Sequence, residues 1–456
     1  MTTLRIHTLR SYPASALNCG QDKMPKTLLF GEVSRLRISS QSLKYALRHS
    51  EKFQRRLGDL VAVHTCALPE IVAEYLAAHT DAAEAEIADI AATLAKLGRE
   101  GKAKKDKEAV PAEGESEKKA DGDEDEKEPA FQNTATLMAI ASHEPQELGD
   151  HFLALYRTWG QKKFMSTEIG KLADTFAPSF PVSVDIAAFG RMSTSSALLP
   201  VEGAVSVSHS FSVNAAAPKL DFFIGRDEHE KRNKENPILG ETGYGSGTFY
   251  NCAAINYDTL LKNLGGDADL ALRAIQALIE GLILATPGGK HNTMLAETRP
   301  DLVLLEVVPD GKALTYANAF NAPVRSDREH SLAENAAAAL LDYVRKADEF
   351  FGFDGERALI SLVPLPDEKS LATLLKSMTG LLEWAQSEII QQNSIEAERR
   401  AAEAALAANP EYQAALAQVR EVWLAKQQEA REKEADDLKN KLTAAREAQK
   451  RDSETK

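Results

Sequence analysis

The chain has 456 residues, 43% of them hydrophobic and 27% charged, enough for a substantial core and for more than one domain. It contains no run of eighteen apolar residues, which excludes a transmembrane helix, and it opens directly on a strand-like pattern; its three distant cysteines (Cys19, Cys66, Cys252) exclude a disulfide framework or a Cys-x-x-Cys zinc knuckle and suit the cytoplasm. The net charge of −14 disfavours nucleic acid taken over the whole chain, but nine basic residues between Lys23 and Arg56 face only Glu32 and Glu51, and a polyanion senses such a local island because more distant charges are screened.

In chain order, Leu4–Leu9 alternates apolar and polar residues and predicts a first strand; a loop follows over Ser11–Lys26, marked by Pro13, Gly20 and Pro25. Val33–Ile38 predicts a second strand, leading into a helix that starts at Ser39 or Ser40. The spacing of Ile71, Val72, Leu76, Ile87, Ile90, Leu94 and Leu97 is helical. Arg99–Pro129 holds one aliphatic residue larger than alanine, Val110, and buries too little to order itself, so a disordered charged insert is expected at 99–129. Helical pattern resumes over Thr134–Asp174. Strands are expected at Val182–Ile186, Ala204–Ser208, Gly247–Tyr250 and Leu302–Val308, with one strong helix at Ala268–Ala285. After Ser370 the pattern is helical almost to the end. Pro410 divides the charged stretch Ser394–Lys456, whose apolar positions Leu416, Val419, Trp423, Leu438 and Leu442 are too irregular for a coiled coil. This order predicts an α+β fold with a helical insertion, for which a split ferredoxin-like or RRM-like sheet fits.

The most informative stretch runs from Phe30 to Arg48. Alternation places Arg35 and Arg37 on one face of the second strand and Leu36 and Ile38 on the other. In the helix, Leu43, Ala46 and Leu47 form the buried side, while Gln41, Lys44 and Arg48 fall at i, i+3 and i+7 on a polar stripe. Two arginines thus lead into a helix N-terminus rich in hydroxyls, and a basic stripe continues along the helix, which suits a phosphate backbone. An ordinary solvated amphipathic helix fits the same residues equally well.

The run Ile6–Leu9, Leu17-Asn18, Lys26, Phe30-Gly31 and Arg37-Ile-Ser-Ser-Gln-Ser-Leu-Lys44 closely resembles the CasC-type backbone subunit of the type I-E Cascade, a CRISPR surveillance complex. Val184-Asp-Ile-Ala-Ala-Phe-Gly-Arg-Met192, Gly245-Ser-Gly-Thr-Phe-Tyr250, Asn256, Thr286-Pro-Gly-Gly-Lys290 and Ala317-Asn-Ala-Phe320 agree in order and spacing, so the likeness covers roughly 4–380. The resemblance implies an RRM-like palm (1–50 and 181–380), helical fingers (51–180), a β-hairpin thumb (212–246) and a charged helical tail (381–456). It implies RNA contacts at Lys26, Ser39, Gln41, Lys44, Arg48, Arg191, Met192 and Lys290, to which the strand pattern adds Arg35 and Arg37. Where the family often carries a basic residue after Leu17-Asn18, this chain has Cys19, with Lys23 nearby. The expected partners are crRNA, target DNA through the guide, further copies of the chain, and the large, small and crRNA-end-capping subunits, with no membrane.

No catalytic, metal or cofactor site is expected. Gly281–Lys290 fails as a phosphate loop because Leu284 stands at the first glycine position and His291 follows the lysine. Gly243–Gly247 reads as a flexible return from the hairpin into a strand. His7 and His209 read as satisfied sheet histidines, and Asp185, with no second carboxylate cluster, as structural. Leu220, Phe222 and Ile224 alternate with Asp221 and Phe223, so both faces of the hairpin carry an aromatic ring. An RNA-processing endonuclease is the alternative reading, and an assembly factor acting through the tail is a third.

Overall fold

The computed structural model describes residues 2–97, 132–134, 136–179, 182–193, 195–225, 238–309, 311–365 and 371–409, with Gln418 and Glu421. The expected insert at 99–129, the charged turn of the hairpin and the apolar positions from Leu416 onward lie outside them. No helix among the described residues is long and apolar enough to cross a membrane. The chain divides into two compact units, Met1–Ile389 and Ile390–Lys456.

The first unit is built on a mixed sheet. Strand β1 (Thr2–Ser15) runs past the expected end at Leu9 and feeds the loop that returns as β2 (Thr27–Phe30). β2 and β3 (Val33–Ile38) form a hairpin closed by Gly31 and Glu32, both at left-handed φ (59° and 61°), the geometry of a two-residue turn matched to strand twist. Gly31 is required twice over, because a β-carbon there would collide with the Asn321 carbonyl. Helices α1 (Ser40–Arg48) and α2 (Glu51–Leu57) follow. The next segment forms its own core. β4 (Val63–Thr65) pairs with β5 (Met138–Ile140), and Leu68, Leu76, Ile90, Phe152 and Phe164 are buried among α3 (Leu68–His79), α4 (Glu84–Leu94), α5 (Glu144–Trp159), α6 (Gln161–Ser166) and α7 (Ile169–Ala173).

Val182–Ile186, expected as a strand, instead leads into helix α8 (Val184–Phe189). A short apolar run does not distinguish strand from helix, and here tertiary packing of Val184, Ile186, Ala187 and Ala188 decides. β6 (Val205–Val207), β7 (Ser210–Ser212), β8 (Lys219–Gly225) and the long β9 (Ile238–Asn256) return to the sheet, followed by α9 (Tyr257–Asn263), α10 (Ala268–Leu284), α11 (His291–Met294) and β10 (Leu302–Pro309). Gly243–Gly247 is no flexible return. It lies within β9, where side chains at Gly243 and Gly245 would strike Met24 and Leu36. A 20-residue helix not expected from the pattern, α12 (Leu332–Phe351), starts at a Ser331/Glu334 capping box. β11 (Glu356–Ser361), β12 (Thr373–Leu374) and α13 (Met378–Ala407) complete the order.

The strand order is β12-β11-β10-β1-β9-β7-β3-β2, with β6 and β8 also paired to β9. Both faces of the centre are covered. Leu4 and Ile6 join the core with α9 and α10, whereas Leu9 joins the core with α12. Residues Thr2–Arg10 are therefore buried without a break. Between the sheet and α12, His7, Glu306, Arg5, Arg357 and Tyr316 form a buried charged network, with Arg357 Nε donating to Glu306 at 2.7 Å and Arg5 Nη1 at 3.1 Å. Leu381, Leu382, Ala385 and Ile389 of α13 are buried in the first core, so the tail begins at 390 and not at 381. In the second unit α13 continues to Ala407.

Candidate nucleic-acid interface

The first motif folds as its sequence requires. Ser39 caps α1, its hydroxyl accepting from Ser42 N–H at 3.3 Å. The loop before β2 is tied to this cap: Asn18 Oδ1 accepts from Ser39 N–H (3.0 Å), and the Asn18 carbonyl accepts from Lys26 N–H (2.9 Å). Arg37 N–H in turn donates to the Lys26 carbonyl at 2.8 Å. His209 sits at the same end, its Nδ1 accepting from Ser40 N–H at 3.1 Å, and burial followed by nearby Arg37 holds its pKa below the ordinary histidine value. The N–H groups of Ser39, Ser40 and Ser42 at the start of α1 are thus already satisfied from within the chain, and the cations around it remain.

These cations are of two kinds. Lys26, Arg37, Lys44 and Lys290 pair with no carboxylate among the described residues. Lys26 is half-buried, and Arg37 keeps a buried Nε without a hydrogen-bond partner. Lys44 lies 5.1 Å from the centre of the Phe189 ring, and burial draws its pKa below the usual lysine value. Lys290 is exposed at a left-handed φ of 54°, on a turn that joins the first motif. A β-carbon on Gly289 would come within 2.8 Å of the Leu17 carbonyl, and Arg10 clamps the chain before the turn by donating to the Ile283 and Ala285 carbonyls and to Thr286 Oγ1.

Arg35, Arg48 and Arg191 are internal, which corrects their expected place in the interface. Arg35 is fully buried, donating to the carbonyls of Val213, Ser212 (3.3 Å) and Phe320 (2.8 Å), and burial lowers its pKa. It shares a strand face with Arg37, but its guanidinium is spent joining β3 to β7 and to the Ala317–Phe320 turn. Arg48 Nε donates to Asp185 Oδ2 at 2.7 Å and its Nη2 to the Ala62 carbonyl at 2.8 Å. Asp185 also accepts from Ala62 N–H and Ser183 Oγ, the structural role expected of it. Arg191 binds Glu144 (2.8 Å) and the Ala139 and Leu199 carbonyls, fixing the loop to α5.

That anchoring leaves the next residue, Met192, 99% exposed, on the rim of a cavity that Phe189 also lines. Gln41 is exposed on α1. Sequence reasoning missed Asn18 and Phe189 as positioning residues although both stand inside the quoted motifs; the signal was an amide and a ring next to the cations.

The hairpin of β8 with the outer part of β9 extends from the sheet with every residue of β8 exposed. Ile224 faces Leu239 and Phe222 faces Glu241, and with Leu220 they form one apolar face, 49–73% exposed at Leu220, Phe222, Ile224 and Leu239. On the other face Phe223 covers Gly240.

The sequence matches the family described as CT1975-like protein (Cas_CT1975) over residues 4–386. The chain belongs to that family. The CT1975-like fold is similar to a chain of a "CRISPR RNA-guided surveillance complex, pre-nicking", with TM-score 0.68 and 24% identity over 84% of this chain and 99% of the other. It is similar also to a chain of a "CRISPR RNA-guided surveillance complex", with TM-score 0.59 and 22% identity over the same shares. No curated protein matches in sequence. The resemblance to Cascade backbone subunits drawn from the motifs agrees with both findings.

Proposed function

We propose that this CT1975-like protein is the crRNA-binding backbone subunit of a type I-E Cascade, non-catalytic, with an RRM-like palm, lining up in several copies along the guide in the cytoplasm. One observation carries the reading. Two sequence-distant motifs bring Lys26, Arg37 and Lys44 of the first and Lys290 of the second to the region around the capped start of α1, none of them paired with a carboxylate among the described residues, and the bare Met192 side chain stands on a cavity also lined by Phe189, the ring beneath Lys44. Cations held in place yet unpaired favour a polyanion, and an adjoining apolar side chain suits unstacked bases of a single strand. The apolar face of the hairpin supports self-assembly, since a two-stranded hairpin alone is marginal in water. Asp185, on which a nuclease reading rests, is 2% exposed and saturated by internal partners.

The test is binding of labelled single-stranded repeat–spacer RNA by the full chain across a salt series. Salt-dependent binding of the intact strand, with sedimenting multimers forming as strand length grows, supports the proposal. Metal-dependent cleavage abolished by Asp185→Ala, or absence of RNA binding at low salt, overturns it.

A further inference from the structure

We propose that an exposed tyrosine–histidine stack on the flank of α1 receives a nucleobase of the guide strand, at a site apart from the lysines that face its phosphates; this rests on the RNA-binding reading above. Tyr45 is 65% exposed and stacks on His49 one turn along α1, ring centres 4.0 Å apart at 27°. The His49 ring is fixed in turn, its Nδ1–H donating to the Tyr45 carbonyl at 2.8 Å. Two rings held in this way lose little freedom when a third planar group is added.

A second pair at the same spacing, Tyr75 and His79, serves as an internal comparison. Its rings also stack, at 5.0 Å and 21°, but Tyr75 is half-buried and donates its hydroxyl to Asp150 at 3.1 Å. The Tyr45 hydroxyl has no such partner among the described residues, so that ring is neither covered nor spent.

The ring opens on a cavity of about 490 Å³ between α1 and the end of α10, floored by Ala46 and Leu284 and bounded by Gly288. Thr286 and Gly288 of its wall belong to the turn that carries Lys290, so the cavity borders that turn, while Lys44, one residue before Tyr45, lies on a different side of α1. Most of its charges are already paired. Glu280 is neutralised by Lys52 (2.6 Å) and Arg56 (2.9 Å), Glu51 by Arg55, and the wall adds one acid, Glu297, and one base, Arg299. An aromatic platform with one acceptor and one donor group at its rim fits a base, whose ring stacks and whose edge carries both N–H and carbonyl groups.

The experiment uses the full chain and single-stranded RNA of guide length carrying 2-aminopurine at one position at a time. The expected result is a subset of positions quenched on binding. Tyr45→Ala relieves that quenching and costs about tenfold in affinity with the salt slope unchanged. Tyr45→Phe keeps both properties, and melting temperatures stay equal, as the exposed ring requires. Quenching and affinity that survive Tyr45→Ala overturn the inference while leaving RNA binding intact. Loss of RNA-free self-association in Tyr45→Ala overturns it in favour of a protein contact. A wild-type chain that binds no RNA overturns the RNA reading itself and this site with it.

Discussion

Strands β1 and β8 are both rich in large side chains, yet residues Thr2–Arg10 of one are all buried and all seven residues of the other are exposed. The difference lies in what covers them. β1 is flanked by β9 and β10 and roofed by helices on both faces; β8 has one neighbour, the outer part of β9. Polar groups obey the same division. In the sheet, Arg5, His7, Arg35, Glu306 and Arg357 are held by fixed partners, whereas Lys26, Lys44 and Lys290 have no carboxylate partner among the described residues. One region uses its chemistry to stay folded, and the other keeps its chemistry available.

The largest effect is expected inside the folded region. Arg35→Ala removes one guanidinium from several carbonyls that water cannot reach, so stability should fall by about 3–5 kcal/mol. Urea melting measures it, and a loss below about 1 kcal/mol would dissolve the division between internal and available arginines. Next in size is a pH effect. Burial opposes charge on His7, but Cys252 and Glu306 beside it outweigh burial and raise its pKa to about 9. A raised pKa stabilises fully below the unfolded value near 6.5 and is lost as pH rises through about 9. Melting temperature should therefore drop across that interval, and His7→Gln should flatten the drop. A drop of equal size in the variant would assign it to other groups.

Much of the first motif could be read without a structure. β3 has the expected bounds Val33–Ile38, and Ser39 caps the following helix, because alternation and capping are local. The fates of Arg35, Arg48 and Arg191 could not be read, since their acceptors stand at residues 212, 213 and 320, at 185, and at 144. Strand alternation assigns Arg35 and Arg37 a common face but not a depth. The helix α12 did leave a local sign, Ser331 three residues before Glu334, but the strand-like patterns around it in that half of the chain mask so short a signal. The gathering of Lys290 beside Leu17 depends on a glycine packing against a backbone carbonyl, a contact with no periodic signature.

A smaller effect on stability, with a definite one on binding, belongs to Lys44. Its contact with Phe189 is worth about 0.5–1 kcal/mol, so Lys44→Ala should melt nearly as the parent does. If the lysine meets a phosphate, RNA affinity should fall for all sequences alike, and the log–log salt slope should flatten by about 0.7. Lys290→Ala should do the same. A change in base preference with the slope intact would move these residues from backbone contact to base contact.

The smallest effect on the isolated chain is expected where the apolar surface is most exposed. Leu220→Ser combined with Phe222→Ser alters the uncovered face of β8, and neither side chain belongs to a buried core cluster. The melting temperature should stay within about 0.5 kcal/mol equivalent of the parent. Assembly should behave differently, because an apolar face of this kind becomes favourable only when another surface removes it from water, at roughly 25 cal/mol for each Å² covered. Sedimentation of the double variant with guide-length RNA should give single bound copies in place of multimers, while Phe223→Ala, on the face where the ring covers Gly240, should spare assembly more and loosen the hairpin instead. A lowered melting point with normal multimers would mean that the hairpin serves its own chain, and the contrast between β1 and β8 would then be one of degree.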